Sequence, residues 1–271
     1  MAPLSPVERQ GVPFSGERYE GWPAHILRLS DIGIDRDAFI RDVRPSFDRT
    51  PWDMYDVMNR RAAIEQSVPA GGSLSAEQKA AIEAIQPHRR RAMRKYHLTH
   101  GSGSSWTIAP NEEHTFTQAV ADHRARTREF ALMEPDVSMH EGILVLLSSL
   151  GETVRAYRPD AVHIDAVIHQ MTVIARPAEA GSPAPEGLHQ DGCDYIVSAL
   201  VIERSGVTGG VSRVRVGRDS APSLEVQLAA GEGIFQADAG TSLWHEISPI
   251  SLSGQSDTGH RMTFGVDIHV S

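Results

Sequence analysis

The chain has one cysteine, Cys193, so it cannot close an internal disulfide, and this fits a reducing compartment. It has no excess of positive charge. The 26 Lys and Arg residues stand against 35 Asp and Glu, a formal net charge of -9, which leaves no evident source for the phosphate neutralisation that nucleic-acid binding needs. No run of ~18 apolar residues occurs, and Met1 to Gly21 lacks the apolar stretch of a signal peptide. These absences predict a cytoplasmic protein with neither a membrane nor a nucleic-acid partner. Histidine, by contrast, is plentiful: with 13 of them, any single His motif is weak evidence.

A chain of 271 residues can bury a sizeable core, and all-β units of this size are commonly single domains. Residues 1–22 are rich in Pro and Gly and read as an irregular leader, with one domain over 23–271. Ala24 to Leu29 reads as an edge strand, and Asp31 to Phe47 and Trp52 to Ser67 as short helices. Ser75 with Gln78 forms a capping-box pattern opening another helix, and Arg89-Arg90-Arg91 with Arg94 and Lys95 reads as a solvated helix face. Trp106 lies in a Gly/Ser stretch that could serve as a lid. A helix is expected from about Thr115 to Met133, and a second capping box, Ser138 with Glu141, opens a helix whose Ile143, Leu146, Leu147, Leu150 and Val154 share one face.

From Val162 the period changes. Val162 to Arg176 is rich in β-branched residues and reads as one or two strands. Short strands follow at Tyr195 to Glu203, Val211 to Val216, Leu224 to Leu228, Ile234 to Asp238, Ser242 to Ile247 and Arg261 to Val270, separated by Gly-rich turns. Helices first and strands afterwards predict an α+β protein with a mainly β core. The expected architecture is a jelly roll, or cupin-like double-stranded β-helix, over 161–271, with helices of 23–160 packed on one sheet.

Within this frame His189-Gln190-Asp191 is the sharpest motif. Residues two apart on a strand point the same way, so His189 and Asp191 can reach one ion, and His245 from another strand completes a set of two imidazoles and a carboxylate. Such a triad leaves open positions and is diagnostic of non-haem Fe(II) oxygenases. The sequence also holds a decoy, since His163-Ile164-Asp165 has the same spacing. His189 follows a Pro/Gly/Ser loop and precedes Gly192, whereas His163 heads a strand-like run; the first setting suits a site better. Cys193 could be a ligand but reads as a small buried residue. On the last strand Arg261, Thr263, Gly265, Asp267 and His269 share one face, and Met262, Phe264, Val266, Ile268 and Val270 the other. Arg261 and Thr263 aimed into a cavity would make a carboxylate site.

The runs Gly187 to Tyr195, Val201 to Ser205 with Gly209-Gly210, Leu243 to Ile250 and Gly259 to Asp267 resemble the Fe(II)/2-oxoglutarate-dependent dioxygenase family of free L-amino acid hydroxylases, which contains bacterial L-isoleucine 4-hydroxylase. The likeness covers about residues 160 to 270. It implies His189, Asp191 and His245 on Fe(II), Arg261 on the distal carboxylate of 2-oxoglutarate, and Thr263 where many relatives carry a hydroxyl on that carboxylate. It further implies O2 as oxidant, succinate and CO2 as products, stimulation by ascorbate, and a free L-amino acid as substrate. Asp191 stands where related halogenases have Gly or Ala, which favours hydroxylation.

Desaturation, cyclisation and sulfoxidation begin from the same chemistry and stay open. So do a non-catalytic cupin-like metal-binding module and a Zn-dependent lyase or hydrolase, neither of which needs Arg261 and Thr263. Gln170, Tyr195 and Trp244 are the candidate substrate contacts, the partner expected is a small molecule, and a homodimer is the assembly considered.

Overall fold

The computed structural model describes residues 4–69, 71–117 and 127–271. The amino-terminal half contains β1 (Val7–Gln10), β2 (Arg18–Tyr19), β3 (Trp22–Arg28), α1 (Arg36–Arg49), α2 (Met54–Gln66), α3 (Ala76–Glu83), β4 (Arg89–His100), β5 (Ser105–Asn111), β6 (Thr115–Thr117), β7 (Thr127–Glu129), β8 (Ala131–Leu132), α4 (Pro135–Ser138) and α5 (Glu141–Tyr157). The remainder is β9 (His163–Ala175), β10 (Tyr195–Ser205), β11 (Val207–Gly209), β12 (Ser212–Val216), β13 (Pro222–Val226), β14 (Glu232–Ala237), β15 (Leu243–Ile247), β16 (Ile250–Leu252) and β17 (Gly259–Val270). It is mainly β, in the jelly-roll arrangement expected.

The main sheet has the order β1-β5-β4-β9-β17-β10-β14-β3-β2, with β8 beside β4, and a smaller sheet has the order β13-β12-β15. The central pair is β9 with β17, antiparallel from Gly259↔Ala175 to Val270↔Ile164. Both strands are β-branched and largely buried, as strands covered on both faces must be. On one side the apolar face of β17 meets the helices: Phe264 lies 5.1 Å from Phe47 and 6.5 Å from Phe39 of α1, ring centre to ring centre. Beside it α5 buries Ile143, Leu146, Leu147, Leu150 and Val154. Truncating a buried ring such as Phe264 to Ala costs about 3–5 kcal/mol. The opposite face of β17 looks across a cavity to the smaller sheet.

Several expectations are corrected. Residues 7–10 form an edge strand paired with β5, and Gly11 then lies so close to α5 that a Cβ there would stand 2.2 Å from the Ser148 carbonyl oxygen. The backbone amides of Val12 and Phe14 donate to Ser149 Oγ and Thr153 Oγ1, so this segment is a strap on α5, with strand β2 following it. The strand expected at Ala24 to Leu29 is β3, which lies inside the edge formed by β2.

The arginine run is not a solvated helix face but strand β4, with Arg89 and Arg94 buried. Alternation sends Arg94 toward the Met133 carbonyl (3.0 Å), while Arg89 pairs with Asp53 of the turn before α2 (2.8 Å). The helix expected over Thr115 to Met133 is replaced at both ends by β6, β7 and β8; its middle, 118–126, lies outside the described residues. The cap of α5 is His140, whose side chain accepts from Gly142 N, while Ser138 belongs to α4; the first capping box, Ser75 with Gln78, is present. Trp106 is no lid. It is fully buried in β5 against Gly151, donating to Glu152 Oε1 at 2.8 Å.

Candidate metal centre

His189 and His245 meet through an isolated antiparallel bridge, His189 N donating to His245 O at 3.0 Å and His245 N to His189 O at 3.1 Å. This pairing extends the smaller sheet by one residue and brings two imidazoles side by side, 4.3 Å between ring centres. Asp191 completes the group: its Oδ1 is 3.3 Å from His189 Nε2 and its Oδ2 is 3.3 Å from His245 Nε2. Neighbouring ligands bound about 2.1 Å from one ion stand about 3 Å apart. Among the described residues this is the group of His, Cys, Asp and Glu side chains able to hold a metal ion.

The atoms behind the imidazoles fit a metal. His189 Nδ1 donates to the Gly187 carbonyl at 2.8 Å, which frees the Nε2 lone pair for coordination. His245 Nδ1 faces Asp238 Oδ1 at 3.8 Å. Asp238 is completely buried, and its Oδ2 accepts from Gly192 N (2.7 Å) and Cys193 N (3.2 Å), just beyond Asp191. One carboxylate therefore bridges the two segments that carry the ligands. Sequence reasoning ended a strand at Asp238 without giving it a role; an acid closing a strand ahead of Gly240 was the available signal.

Electrostatics agree with the geometry. Burial disfavours the Asp191 carboxylate, but hydrogen bonds from His189 and His245 and their charge outweigh it and hold its carboxyl well below the usual range. For His189 burial disfavours the cation, yet the bond to Asp191, its charge and the Gly187 carbonyl push the imidazole up to about 9. Burial raises the Asp238 carboxyl.

The triad opens on a cavity lined by β4, β7, β9, β10, β15, β17 and the loop before His189. Arg261 and Thr263 line it and are both 1% exposed. Among the described residues Arg261 Nε and Nη2 have no hydrogen-bond partner, and burial, with repulsion from Arg204, pulls the guanidinium down to about 10. A buried cation without a counter-charge is expensive, so this pocket end is shaped for an anion. The decoy does not converge: His163 and Asp165 are exposed, and Asp165 pairs instead with His97 Nδ1 at 2.9 Å.

Gln170, Tyr195 and Trp244 are not brought to the cavity, and here the expectation is corrected. Gln170 sits opposite Phe264 in the β9–β17 register, on the helix side, and donates to Ser46 Oγ at 2.6 Å. Tyr195 stacks on Phe235, because the chain bends at Gly192 (φ +93°) before β10 begins and parity with Asp191 is lost. Trp244 alternates with His245 and faces outward under Arg218, 5.2 Å from its ring centre. Cys193 is buried, and burial pushes its thiol up, away from thiolate character. The polar cavity residues that sequence reasoning did not single out are Arg89, Arg91, Arg128, His169, Glu186 and Ser198.

A family model described as 2OG-Fe dioxygenase matches residues 76–267. No curated protein matches the chain. Among solved structures it is similar to a bsmA homologue from Methylobium petroleophilum, with 18% identity, 90% of this chain and 84% of that one covered, and a TM-score of 0.66. It is also similar to IDO from Bacillus thuringiensis (11% identity, 91% and 94% covered, TM-score 0.56). A third is the Fe(II)/(alpha)ketoglutarate-dependent dioxygenase TqaL (12% identity, 92% and 83% covered, TM-score 0.60). At these identities the three establish a shared fold.

Proposed function

The chain belongs to the 2OG-Fe dioxygenase family, and from that premise we propose that it hydroxylates an unactivated C–H bond of a free L-amino acid. The family implies Fe(II), 2-oxoglutarate and O2. When bound, these supply the oxidation: substrate, O2 and 2-oxoglutarate go to hydroxylated substrate, succinate and CO2, one oxygen atom entering each organic product.

The chain's own residues do the rest. His189 and His245 present Nε2, and Asp191 a carboxylate, within one cluster, so these three side chains would hold the iron. The observation that carries the cofactor assignment is Arg261, a buried guanidinium with two unpartnered nitrogens beside Thr263. That pair binds the distal carboxylate of 2-oxoglutarate, the arginine through its planar fork and the threonine through its hydroxyl. The apolar walls at Met171, Ile196, Val197 and Ile247 exclude water from the reacting end. Asp191 keeps a carboxylate among the ligands, which favours hydroxyl return; desaturation, cyclisation and sulfoxidation remain the second reading. Ascorbate is expected to sustain turnover by keeping the metal reduced.

The test is succinate release from protein supplied with Fe(II), 2-oxoglutarate and ascorbate, with and without a pool of L-amino acids, followed by mass spectrometry for a gain of one oxygen. Substrate-stimulated succinate with an oxygenated amino acid is expected. Failure of the protein to bind 2-oxoglutarate anaerobically would overturn the cofactor assignment. Binding without stimulation by any amino acid would overturn the substrate class.

A further inference from the structure

Glu203 and Arg204 are neighbours in the chain and of opposite charge, yet a bulge in β10 sends them to opposite faces of the main sheet. Val201 stands opposite Thr263 of β17 and Glu203 opposite Met262, so β10 carries one extra residue, Ile202. Alternation continued from Val201 would put Glu203 on the cavity face and Arg204 on the helix face. The bulge exchanges them. Glu203 turns to the helices, where its Oε2 accepts from Arg44 Nε at 2.8 Å and lies 3.3 Å from His260 Nε2. Arg204 comes to stand directly opposite Arg261, and residues opposite one another in an antiparallel pair share a face.

Two guanidinium groups are therefore neighbours at the 2-oxoglutarate end of the site. Among the described residues neither forms an ion pair, and Arg204 Nη1, like Arg261 Nε and Nη2, is buried without a hydrogen-bond partner. Burial pulls the Arg204 guanidinium down, and Arg204 in turn helps to pull Arg261 down.

The turn after β11 holds both arginines. Arg204 Nη2 donates to Gly209 O at 2.7 Å, and the same oxygen accepts from Gln227 Nε2, just past β13, at 3.0 Å. At Gly210 (φ +64°) a Cβ would stand 3.1 Å from Arg261 Cδ and 3.3 Å from its Nε, so glycine lets the backbone lie against that side chain. Holding two unneutralised cations together in a partly desolvated place is costly until an anion completes the group.

We propose that Arg204 is a second cation for the distal carboxylate of 2-oxoglutarate, so that this end of the site is a two-arginine anion site selecting a dicarboxylic 2-oxo acid over a monocarboxylic one. This rests on the 2-oxoglutarate assignment above and adds Arg204 to it.

The experiment is calorimetric titration of Mn(II)-loaded protein with 2-oxoglutarate and, separately, with 2-oxopentanoate, which keeps the metal-chelating end and the chain length and lacks the distal carboxylate. The unaltered protein is compared with Arg204→Gln, which keeps a donor for Gly209 O and loses the charge, and with Arg204→Lys, which keeps the charge. Arg204→Gln is expected to weaken 2-oxoglutarate about tenfold to a hundredfold, to leave the weak binding of 2-oxopentanoate and the affinity for Mn(II) as they are, and Arg204→Lys to recover most of the loss. An unchanged 2-oxoglutarate affinity in Arg204→Gln, or an equal loss for both acids, overturns the second cation and leaves the assignment at Arg261 standing. If Arg204→Gln does not fold, Arg204→Lys decides: retained preference for 2-oxoglutarate over 2-oxopentanoate is expected, and a lost preference overturns the two-arginine site. Unaltered protein that binds Mn(II) and not 2-oxoglutarate overturns the cofactor assignment and the two-arginine site together.

Discussion

His163 and Asp165 have the same spacing as His189 and Asp191, and both pairs sit at the start of, or just before, a strand of the main sheet. At the first pair the side chains reach to neighbours across an exposed sheet surface: Asp165 to His97 at 2.9 Å, His163 to Thr99 Oγ1 at 3.5 Å, with the His97 and His163 rings stacked. At the second they turn inward, because the chain leaves the main sheet and pairs with His245 of the smaller one. The spacing supplies two ligand atoms on one side of a chain; a site also needs a third ligand from elsewhere and an acceptor behind each imidazole. Only the second pair has Gly187 O, Asp238 and His245 around it.

The largest expected effect tests that difference directly. His189→Ala removes one of three ligands, and the variant should neither bind Mn(II) in anaerobic titration nor release substrate-stimulated succinate. His163→Ala should bind the metal and turn over like the unaltered protein. Loss of metal in His163→Ala would break the comparison. Next comes Asp238→Asn. Its carboxamide oxygen can still accept from Gly192 N, but an NH2 turned to His245 Nδ1 would donate and favour the tautomer that blocks Nε2. Metal affinity should fall about tenfold to a hundredfold by calorimetry, with the unfolding transition retained. An unchanged affinity would mean that the bridging carboxylate does nothing for the imidazole.

The same contrast explains what was legible in the sequence. Along β17 the two-residue period alone separates Arg261 and Thr263 from Met262 and Phe264, and the structure keeps that division. Strand alternation is local, so residues 161–271 could be read at the level of faces. Gln170 and Tyr195 failed because their faces depend on where β9 sits in register and on the bend at Gly192. The arginines of β4 failed for a different reason. Their partners, Asp53, Trp52, Phe130 and Met133, come from segments far away in the chain, so nothing local indicates that charges there are buried. Periodicity reports a face; it does not report which distant segment covers it.

A smaller effect, graded by pH, separates the pairs again. In the metal-free protein the His189 imidazole is pushed up to about 9, above the ordinary 6.5. Its folded-state value is raised, so its contribution to metal-free stability is fully present below pH 6.5 and is lost as the pH rises through about 9. A metal needs the neutral imidazole, so Mn(II) affinity should rise across that window, by at most about tenfold per pH unit. A flat affinity from pH 6.5 to 9 would show that no proton leaves His189 on binding.

The smallest expected effect belongs to the decoy, and its smallness is the point. Asp165 and His97 are 57% and 47% exposed in their side chains, so water screens their attraction and both keep much of their freedom when unpaired. Exposed pairs of this kind contribute about 0–1 kcal/mol. Asp165→Asn keeps the shape and removes the charge, and should shift the unfolding free energy in urea by no more than about 1 kcal/mol, with Mn(II) affinity unchanged. A larger loss of stability would mean that the pair is held more tightly than its exposure allows. A loss of metal affinity would mean that the two halves of β9 communicate, since Asp165 lies at the far end of that strand from Met171 and Val173, beside the cavity and Arg261. The outcome therefore decides whether the spacing shared by the two motifs carries chemistry by itself or acquires it from the bridge to His245.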